Sequence, residues 1–136
     1  MDVSGKGQKQ PAAGPKRNRK QTGALGEQAA AELLAREGYE ILARNWRCRS
    51  GELDIIAFKD HQFIFVEVRT RSAGALMFGN PAESVDARKI KQVRDTAAVY
   101  LYQQGKGDAA VRFDVVAVIV NKAGQAVTAD HLIGAF

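Results

Sequence analysis

The order of hydrophobic and polar positions along the chain predicts two helices separated by strands. The first helix follows Thr22, a suitable N-cap, and ends at Gly38. Its apolar residues at helical spacing are Leu25, Ala29, Leu33 and Leu34. Three β-prone runs come next, at residues 39–46, 52–58 and 63–69. Because short links join these runs, they predict an antiparallel meander.

A second amphipathic stretch and a long apolar run complete the pattern. Asn80 and Pro81 have the chemistry of an N-cap and a first helical residue, and this helix is expected to end near Gly105. Its inward face would carry Ile90, Val93, Ala97 and Leu101. The run VRFDVVAVIV is typical of a strand covered on both faces, and QAVTADHLI suggests an edge strand after it.

Together these elements predict the fold class. A strand, a helix and a strand in succession form a right-handed crossover between parallel strands. Combined with the meander, this crossover predicts an α/β domain of three layers on a mixed sheet, with the core order αβββαβ.

The first residues of the chain change the meaning of its net charge, which is +5. Residues 1–21 contain Lys6, Lys9, Lys16, Arg17, Arg19 and Lys20 against Asp2, which accounts for the whole +5. We expect residues 1–21 to form a disordered basic tail, because they hold too few apolar groups to offset the entropy lost on ordering. Residues 22–136 are then a single neutral domain, and a nucleic-acid partner has to be argued from a local cluster of cations.

The cysteine content and hydropathy bear on the compartment. Cys48 is the only cysteine, so the chain has no internal disulfide and no cysteine-based zinc site. No apolar run approaches the roughly 20 residues of a membrane span, and the N-terminus lacks the apolar centre of a signal peptide. We therefore expect a cytoplasmic protein without a membrane partner.

Acidic residues interrupt two of the apolar strands. Glu52 and Asp54 share a face by alternation, and Glu67 can approach Asp54 across a hairpin. Two close, half-buried carboxylates repel each other, and a divalent cation such as Mg²⁺ or Mn²⁺ removes the conflict. The same pattern fits an ion-pair ladder in which Arg69 and Arg71 neutralise Glu67 and Asp54. The residues by themselves leave both interpretations open.

Several sequence blocks, in this order, resemble the UPF0102 (YraN) family of small bacterial proteins. The blocks are GALGEQAA, GYEILARNWR, GELDIIA, FVEVRTR, RFDVV and HLIGAF, and they span nearly all of residues 23–136. That family is similar to the restriction-endonuclease-like group with the PD-(D/E)xK motif and to archaeal Holliday junction resolvases. The resemblance implies a restriction-endonuclease-like fold and metal-dependent hydrolysis of phosphodiester bonds in DNA, selective for strand structure rather than sequence.

The resemblance also implies roles for individual residues. The metal-binding aspartate of the motif falls on Asp54, its second acid on Glu67 and its lysine on Arg69. Glu27 takes the place of an additional acid that resolvase-like members contribute from the first helix. Glu52 either joins the metal shell or supports the turn. Because arginine stays protonated, Arg69 can stabilise charge but cannot act as a general base.

A cluster of cations is the candidate nucleic-acid contact. Its members are Arg71, Arg88, Lys91 and Arg94, which would bind phosphates without reading bases. Two other functions compete with a nuclease: a nucleic-acid-binding module that keeps the fold without cleaving, and a protein-interaction domain. The resolvase-like relatives are dimers, so a homodimer is a further expectation.

The remaining polar and aromatic residues of note are interpreted as structural. Asp114 is expected to pair with Arg112 inside the last apolar run, and His131 is too isolated to be proposed as a ligand. The aromatic residues expected in the core are Trp46, Phe63, Phe65 and Phe113.

Overall fold

Two helices and five strands make up the residues that the computed structural model describes, 17–74 and 86–136. In chain order they are α1 (Arg19–Arg36), β1 (Glu40–Cys48), β2 (Gly51–Lys59), β3 (Gln62–Ser72), α2 (Ala87–Gln103), β4 (Ala110–Val120) and β5 (Ala126–Leu132). The predicted order αβββαβ is confirmed, and β5 is the additional edge strand. Neither helix within these ranges combines the length and the apolar character needed to cross a membrane.

The strands form one mixed sheet in the order β1-β2-β3-β4-β5. The first three strands are an antiparallel meander, β4 is parallel to β3, and β5 is antiparallel to β4. Helix α1 packs with Ile64 and Val66 on one face of the sheet, and α2 packs with Phe63 and Phe65 on the other. The domain therefore has the three predicted layers, with an apolar core on each side of the sheet.

Both helices begin at side-chain caps. The N-cap predicted at Thr22 is wrong, because Asn18 and Gln21 bond each other's backbone N–H groups in a capping box and the helix begins at Arg19. Residues 17–21 of the predicted tail are thus ordered, and residues 1–16 lie outside the described ranges. Asp86 caps α2, whereas the predicted start at residues 80–81 lies in the segment that is not described.

The inward face of α2 is wider than predicted. Val93, Ala97 and Leu101 are buried as expected, Ile90 is half-buried, and Thr96 and Tyr100 are buried as well. Three of the predicted aromatic core residues pack around the ring of Tyr100. The ring centroids of Trp46, Phe63 and Phe65 lie 5.2, 6.3 and 6.1 Å from that of Tyr100.

Helix α1 makes its closest approach to the sheet at Gly26. A Cβ placed on this buried glycine would overlap the hydroxyl of Thr70 and lie 2.7 Å from its Cγ2 methyl group. Only a residue without a side chain allows this distance between α1 and β3. The contact matters for the candidate site because it brings the next residue, Glu27, down to the sheet.

The beginning of α1 is tied to the far end of the sheet. The guanidinium of Arg17 donates hydrogen bonds to the carbonyl oxygens of Asn121 (2.7 Å) and Lys122 (3.0 Å), which lie in the turn between β4 and β5. This interaction fixes the chain just before the N-cap. The first turn of α1 is therefore held against the sheet.

The end of α1 is tied to β4 and β5 by a buried polar network. The carboxylate of Asp114 is fully buried and accepts hydrogen bonds from Nε (2.9 Å) and Nη2 (2.7 Å) of Arg112. His131 bridges Asp114 (2.7 Å) and Glu37 (2.8 Å). Burial raises the pKa of Asp114, but the hydrogen bonds from Arg112 and its other donors outweigh it, so the pKa is lowered. The predicted pairing of Asp114 is confirmed, and the view of His131 as isolated is wrong because β5 brings it to this network.

We expect Gly26→Ala to lower the free energy of unfolding by about 1–3 kcal/mol, because the new methyl group must displace Thr70. Urea unfolding monitored by circular dichroism measures this change. Gly23→Ala is the matched control in the same helix, since a Cβ there meets nothing within 4 Å. Helix propensity alone should make the control more stable by about 0.5–1 kcal/mol. Equal effects at both positions would contradict the close packing at Gly26.

Candidate active site

The candidate site lies where β3 continues beyond its pairing with β2. The ladder between these strands ends at the pair Ile55 and Val66, and one further step along the same register places Asp54 opposite Glu67. Beyond this pair, the side chain of Asp54 takes the place of a backbone acceptor for β3. Its Oδ2 atom accepts a hydrogen bond from the backbone N–H of Val68 at 2.8 Å. The structure thus brings together the two acids that the hairpin pattern selects.

The alternation of side chains between the two faces of the sheet is interrupted beside this pair. Residues that pack on the α2 side are three positions apart in both strands, Ala43 and Trp46 in β1 and Leu53 and Ile56 in β2. Asn45 lies within the β1 interval and has a φ of 53°, a left-handed conformation that asparagine adopts more readily than most residues. Simple alternation, on which we placed Glu52 and Asp54 on one face, therefore does not hold through Asp54.

Glu67 has the most strongly shifted pKa among the acids of the site. Its side chain is only 2 % exposed, and its Oε2 atom has no hydrogen-bond partner. Burial, the charge of Asp54 and a hydrogen bond with Asp54 raise the pKa of Glu67 to about 8, against the lowering effect of Lys89. At neutral pH Glu67 therefore holds a proton beside Asp54.

Two cations lie near the same carboxyl group. Lys89 Nζ is 3.2 Å from Glu67 Oε2, and Arg69 Nη1 is 3.9 Å from it. The ion-pair interpretation of the sequence is partly realised for Glu67 by Arg69, while the nearer cation comes from α2. Arg71 instead donates a hydrogen bond to the carbonyl oxygen of Thr70.

Glu27 reaches the acids from the other face of the sheet. Burial raises the pKa of this side chain, a hydrogen bond with Asn45 lowers it, and the charges of Asp54 and Glu52 raise it further, so the net change is upward. The carboxyl group therefore lies within the electrostatic field of the acidic cluster. The Gly26 contact and the left-handed backbone of Asn45 together hold it there.

A pocket of about 620 Å³ opens over the pair. Its acidic lining is Glu27, Asp54 and Glu67, and its cationic lining is Arg17, Arg19, Arg69, Arg71 and Lys89. With five cations against three acids, the described lining is net positive. Such a field attracts phosphate groups although the floor is acidic.

Several predicted site residues lie elsewhere. Glu52 is not among the residues that line the pocket and instead pairs with Arg47 at 3.4 Å. On α2, Arg88 is exposed, Lys91 pairs with Asp95 at 2.7 Å, and the guanidinium of Arg94 lies 4.5 Å from the ring centroid of Phe113. None of these three cations lines the pocket.

The geometry of α2 explains which cation reaches the site. With 100° between successive residues, Lys89 shares the buried face with Val93 and Thr96, whereas Lys91 and Asp95 share the exposed face. This helical spacing can be seen in the sequence, but the prediction of Arg88, Lys91 and Arg94 as phosphate contacts did not take it into account. Asn45 was also missed, although a turn-forming residue within a β-prone run is unusual enough to mark it.

The residues present are chemically suited to a hard divalent cation. Among the described residues, no group of three histidine, cysteine, aspartate or glutamate side chains has the arrangement of a complete metal site. Asp54 and Glu67 supply only oxygen ligands, and Glu67 Oε2 is buried without a hydrogen-bond partner. Magnesium accepts such a site, since it commonly uses one or two carboxylates and completes its shell with water and substrate phosphate.

Comparison with known proteins places these residues in a wider group. A family model described as "Uncharacterised protein family UPF0102" matches residues 26–118. A UPF0102 protein of Moorella thermoacetica is 47 % identical over 87 % of this chain and 97 % of its own length. UPF0102 proteins of Beutenbergia cavernae and Mycolicibacterium vanbaalenii are 45 % and 46 % identical over 82 % and 77 % of this chain, and 92 % and 85 % of their own lengths. The matched range includes every acid of the pocket.

We expect Glu67→Gln to remove a pH dependence of stability. The folded pKa of about 8 lies above the ordinary value of 4.5, so the folded protein holds an extra proton between these values. Wild-type stability therefore falls as pH rises through this window. Glutamine resembles the protonated acid, so the variant should become more stable than wild type by on the order of 1–3 kcal/mol at about pH 9.

Urea unfolding of both proteins at about pH 5, 7 and 9 measures this difference. Glu32→Gln is the control, because Glu32 is an exposed acid on α1 whose side chain bonds Gln28. The free energy of unfolding of Glu32→Gln should change with pH in the same way as that of wild type. The same pH dependence in Glu67→Gln and wild type would contradict the raised pKa of Glu67.

Proposed function

The chain belongs to the UPF0102 family, and we propose that it is a divalent-metal-dependent nuclease that hydrolyses phosphodiester bonds in DNA in the cytoplasm. One observation carries the proposal: the half-buried Asp54 and the buried Glu67 form a pair of carboxyl groups at the floor of a pocket with a net positive lining. Metal-dependent hydrolysis of phosphodiester bonds uses this combination of metal ligands beside phosphate-binding cations.

The acids of the pocket have separate roles in this proposal. Asp54 and Glu67 would hold Mg²⁺ or Mn²⁺, and Glu27 would bond its water shell while Asn45 orients the Glu27 carboxyl group. When bound, the metal lowers the pKa of a water molecule and neutralises negative charge at the phosphate. Asp54 also keeps its hydrogen bond to the backbone of Val68, which fixes one carboxylate oxygen and leaves the other to the pocket.

The cations of the pocket would bind and polarise the phosphate. Arg69 Nη1 lies 3.9 Å from Glu67 Oε2, and its fixed positive charge suits transition-state stabilisation. Arg69 does not serve as a general base, since it stays protonated. Arg71 and Arg19 line the same pocket and offer contacts to neighbouring phosphates.

The lining also bears on the substrate. No aromatic side chain is among the described residues that line this pocket, so the described part of the site provides no platform for stacking bases. Contacts from arginine and lysine to phosphates carry no sequence information. We therefore propose selectivity for strand structure, such as flaps or four-way junctions, rather than for base sequence.

A cleavage assay tests the proposal. Purified protein is incubated with single-stranded, flapped and four-way DNA, with Mg²⁺, Mn²⁺ or EDTA, and a single-stranded RNA tests the choice of DNA. We expect products that require metal, and a rate at least about 100-fold lower in Asp54→Asn.

Asp95→Asn is the control, because Asp95 is an acid that pairs with Lys91 outside the pocket. It should cleave as wild type does. Cleavage that survives unchanged in Asp54→Asn would rule out this site.

A second function is favoured by one specific observation. Lys89 and Arg69 already lie near the Glu67 carboxyl group, where they can neutralise it without a metal ion. A module that binds nucleic acid without cleaving it would have this arrangement. It predicts salt-dependent DNA binding and no products with either metal in the same assay.

A further inference from the structure

Lys89 lies closer to Glu67 Oε2 than Arg69 does, and α2 fixes its position. Its backbone N–H donates to Oδ1 of the N-cap Asp86 at 2.9 Å, so the first turn of the helix is held in place. Its Nζ atom lies 3.2 Å from Glu67 Oε2. The helix cap and the buried face of α2 therefore direct this side chain toward the carboxylate pair.

The ammonium group of Lys89 has one side toward the protein and one toward the pocket. Glu67 is 2 % exposed, whereas the Lys89 side chain is 32 % exposed and lines the pocket. The contact of Lys89 Nζ with Glu67 Oε2 at 3.2 Å engages one side of the ammonium group. An ammonium group has three N–H donors, which leaves donors for an oxygen that enters the pocket.

Lys89 and Arg69 offer different chemistry to such an oxygen. The guanidinium of Arg69 is a planar fork 3.9 Å from Glu67, and the ammonium of Lys89 is a compact point charge at 3.2 Å. The two come from different elements, β3 and α2. A phosphate above the carboxylate pair would therefore have a planar cation on one side and a compact cation on the other.

We propose that Lys89 is a substrate-binding residue that contacts the DNA phosphate held next to Glu67. Its ammonium group supplies a compact cation to this phosphate from α2. Lys89 moves from its position 3.2 Å from Glu67 Oε2 only as far as contact with the phosphate requires. The identity of the ligand as DNA rests on the proposed function, whereas the role of Lys89 in binding does not depend on cleavage.

Binding measurements on matched lysine variants test this role. Lys89→Met keeps the apolar stem and removes the charge, and Lys91→Met does the same two residues along the helix, where the lysine pairs with Asp95 outside the pocket. Fluorescence anisotropy with labelled single-stranded and four-way DNA, in Ca²⁺ and over a range of salt concentrations, gives the affinity and its salt dependence.

We expect Lys89→Met to weaken binding about 5- to 10-fold and to reduce the slope of log K against log salt by about one, as loss of one phosphate contact requires. Lys91→Met should stay within about twofold of wild type. Lys89→Arg keeps the charge and should restore the slope. Wild-type binding and slope in Lys89→Met, or equal losses in both methionine variants, would overturn the proposal.

The same variants separate this inference from the proposed nuclease function. If Lys89→Met binds DNA more weakly and the wild type does not cleave, the role of Lys89 is supported and the nuclease is excluded. Asp54-dependent cleavage with unchanged binding in Lys89→Met supports the nuclease and excludes the role of Lys89. A wild-type protein that binds neither DNA overturns both, and urea unfolding of Lys89→Met shows whether a loss of binding comes from a loss of folding.

Discussion

The organisation of this domain follows from one unfavourable contact, two carboxyl groups held together where β2 and β3 part. Removing Glu67 from water next to Asp54 is costly unless a proton, a cation or both compensate. The protein uses both: the pKa of Glu67 is raised to about 8, and Lys89 lies 3.2 Å from the carboxyl group. Strongly perturbed acids of this kind cluster at functional sites, which is why this pair is the centre of the proposed function.

The backbone around the pair is shaped to make it accessible. β3 stays paired with β4 as far as Ser72, but its pairing with β2 stops at Val66. The side chain of Asp54 then accepts a hydrogen bond from the backbone N–H of Val68, so this donor stays paired where the sheet opens. The left-handed residue Asn45 lies in the neighbouring strand and bonds Glu27. Opening the sheet and assembling the acids are therefore parts of one local distortion.

Because the sheet opens there, both helical layers can contribute to one pocket. Helix α1 lies close to β3 at Gly26, and its ends are tied down by Arg17 and by the network around Asp114. Helix α2 contributes Lys89 from the opposite layer. Acids and cations of the pocket thus come from the first helical layer and the sheet, with one more cation from α2, and their relative positions depend on how both helices pack. This dependence makes helix packing a direct determinant of the chemistry of the pocket.

Much of this could be predicted from the sequence, and the division has a physical reason. Helices, strands, their order and the approach of Asp54 to Glu67 follow from local periodicity, short connections and hairpin geometry, all of which act over a few residues. The tertiary structure alone decided that Glu52 lies outside the pocket, that His131 joins Asp114, and that Arg17 lines the site. It also decided that the buried face of α2, on which helical periodicity places Lys89, rests beside Glu67. These outcomes depend on where each helix rests on the sheet, and contacts between residues far apart in the chain determine that position.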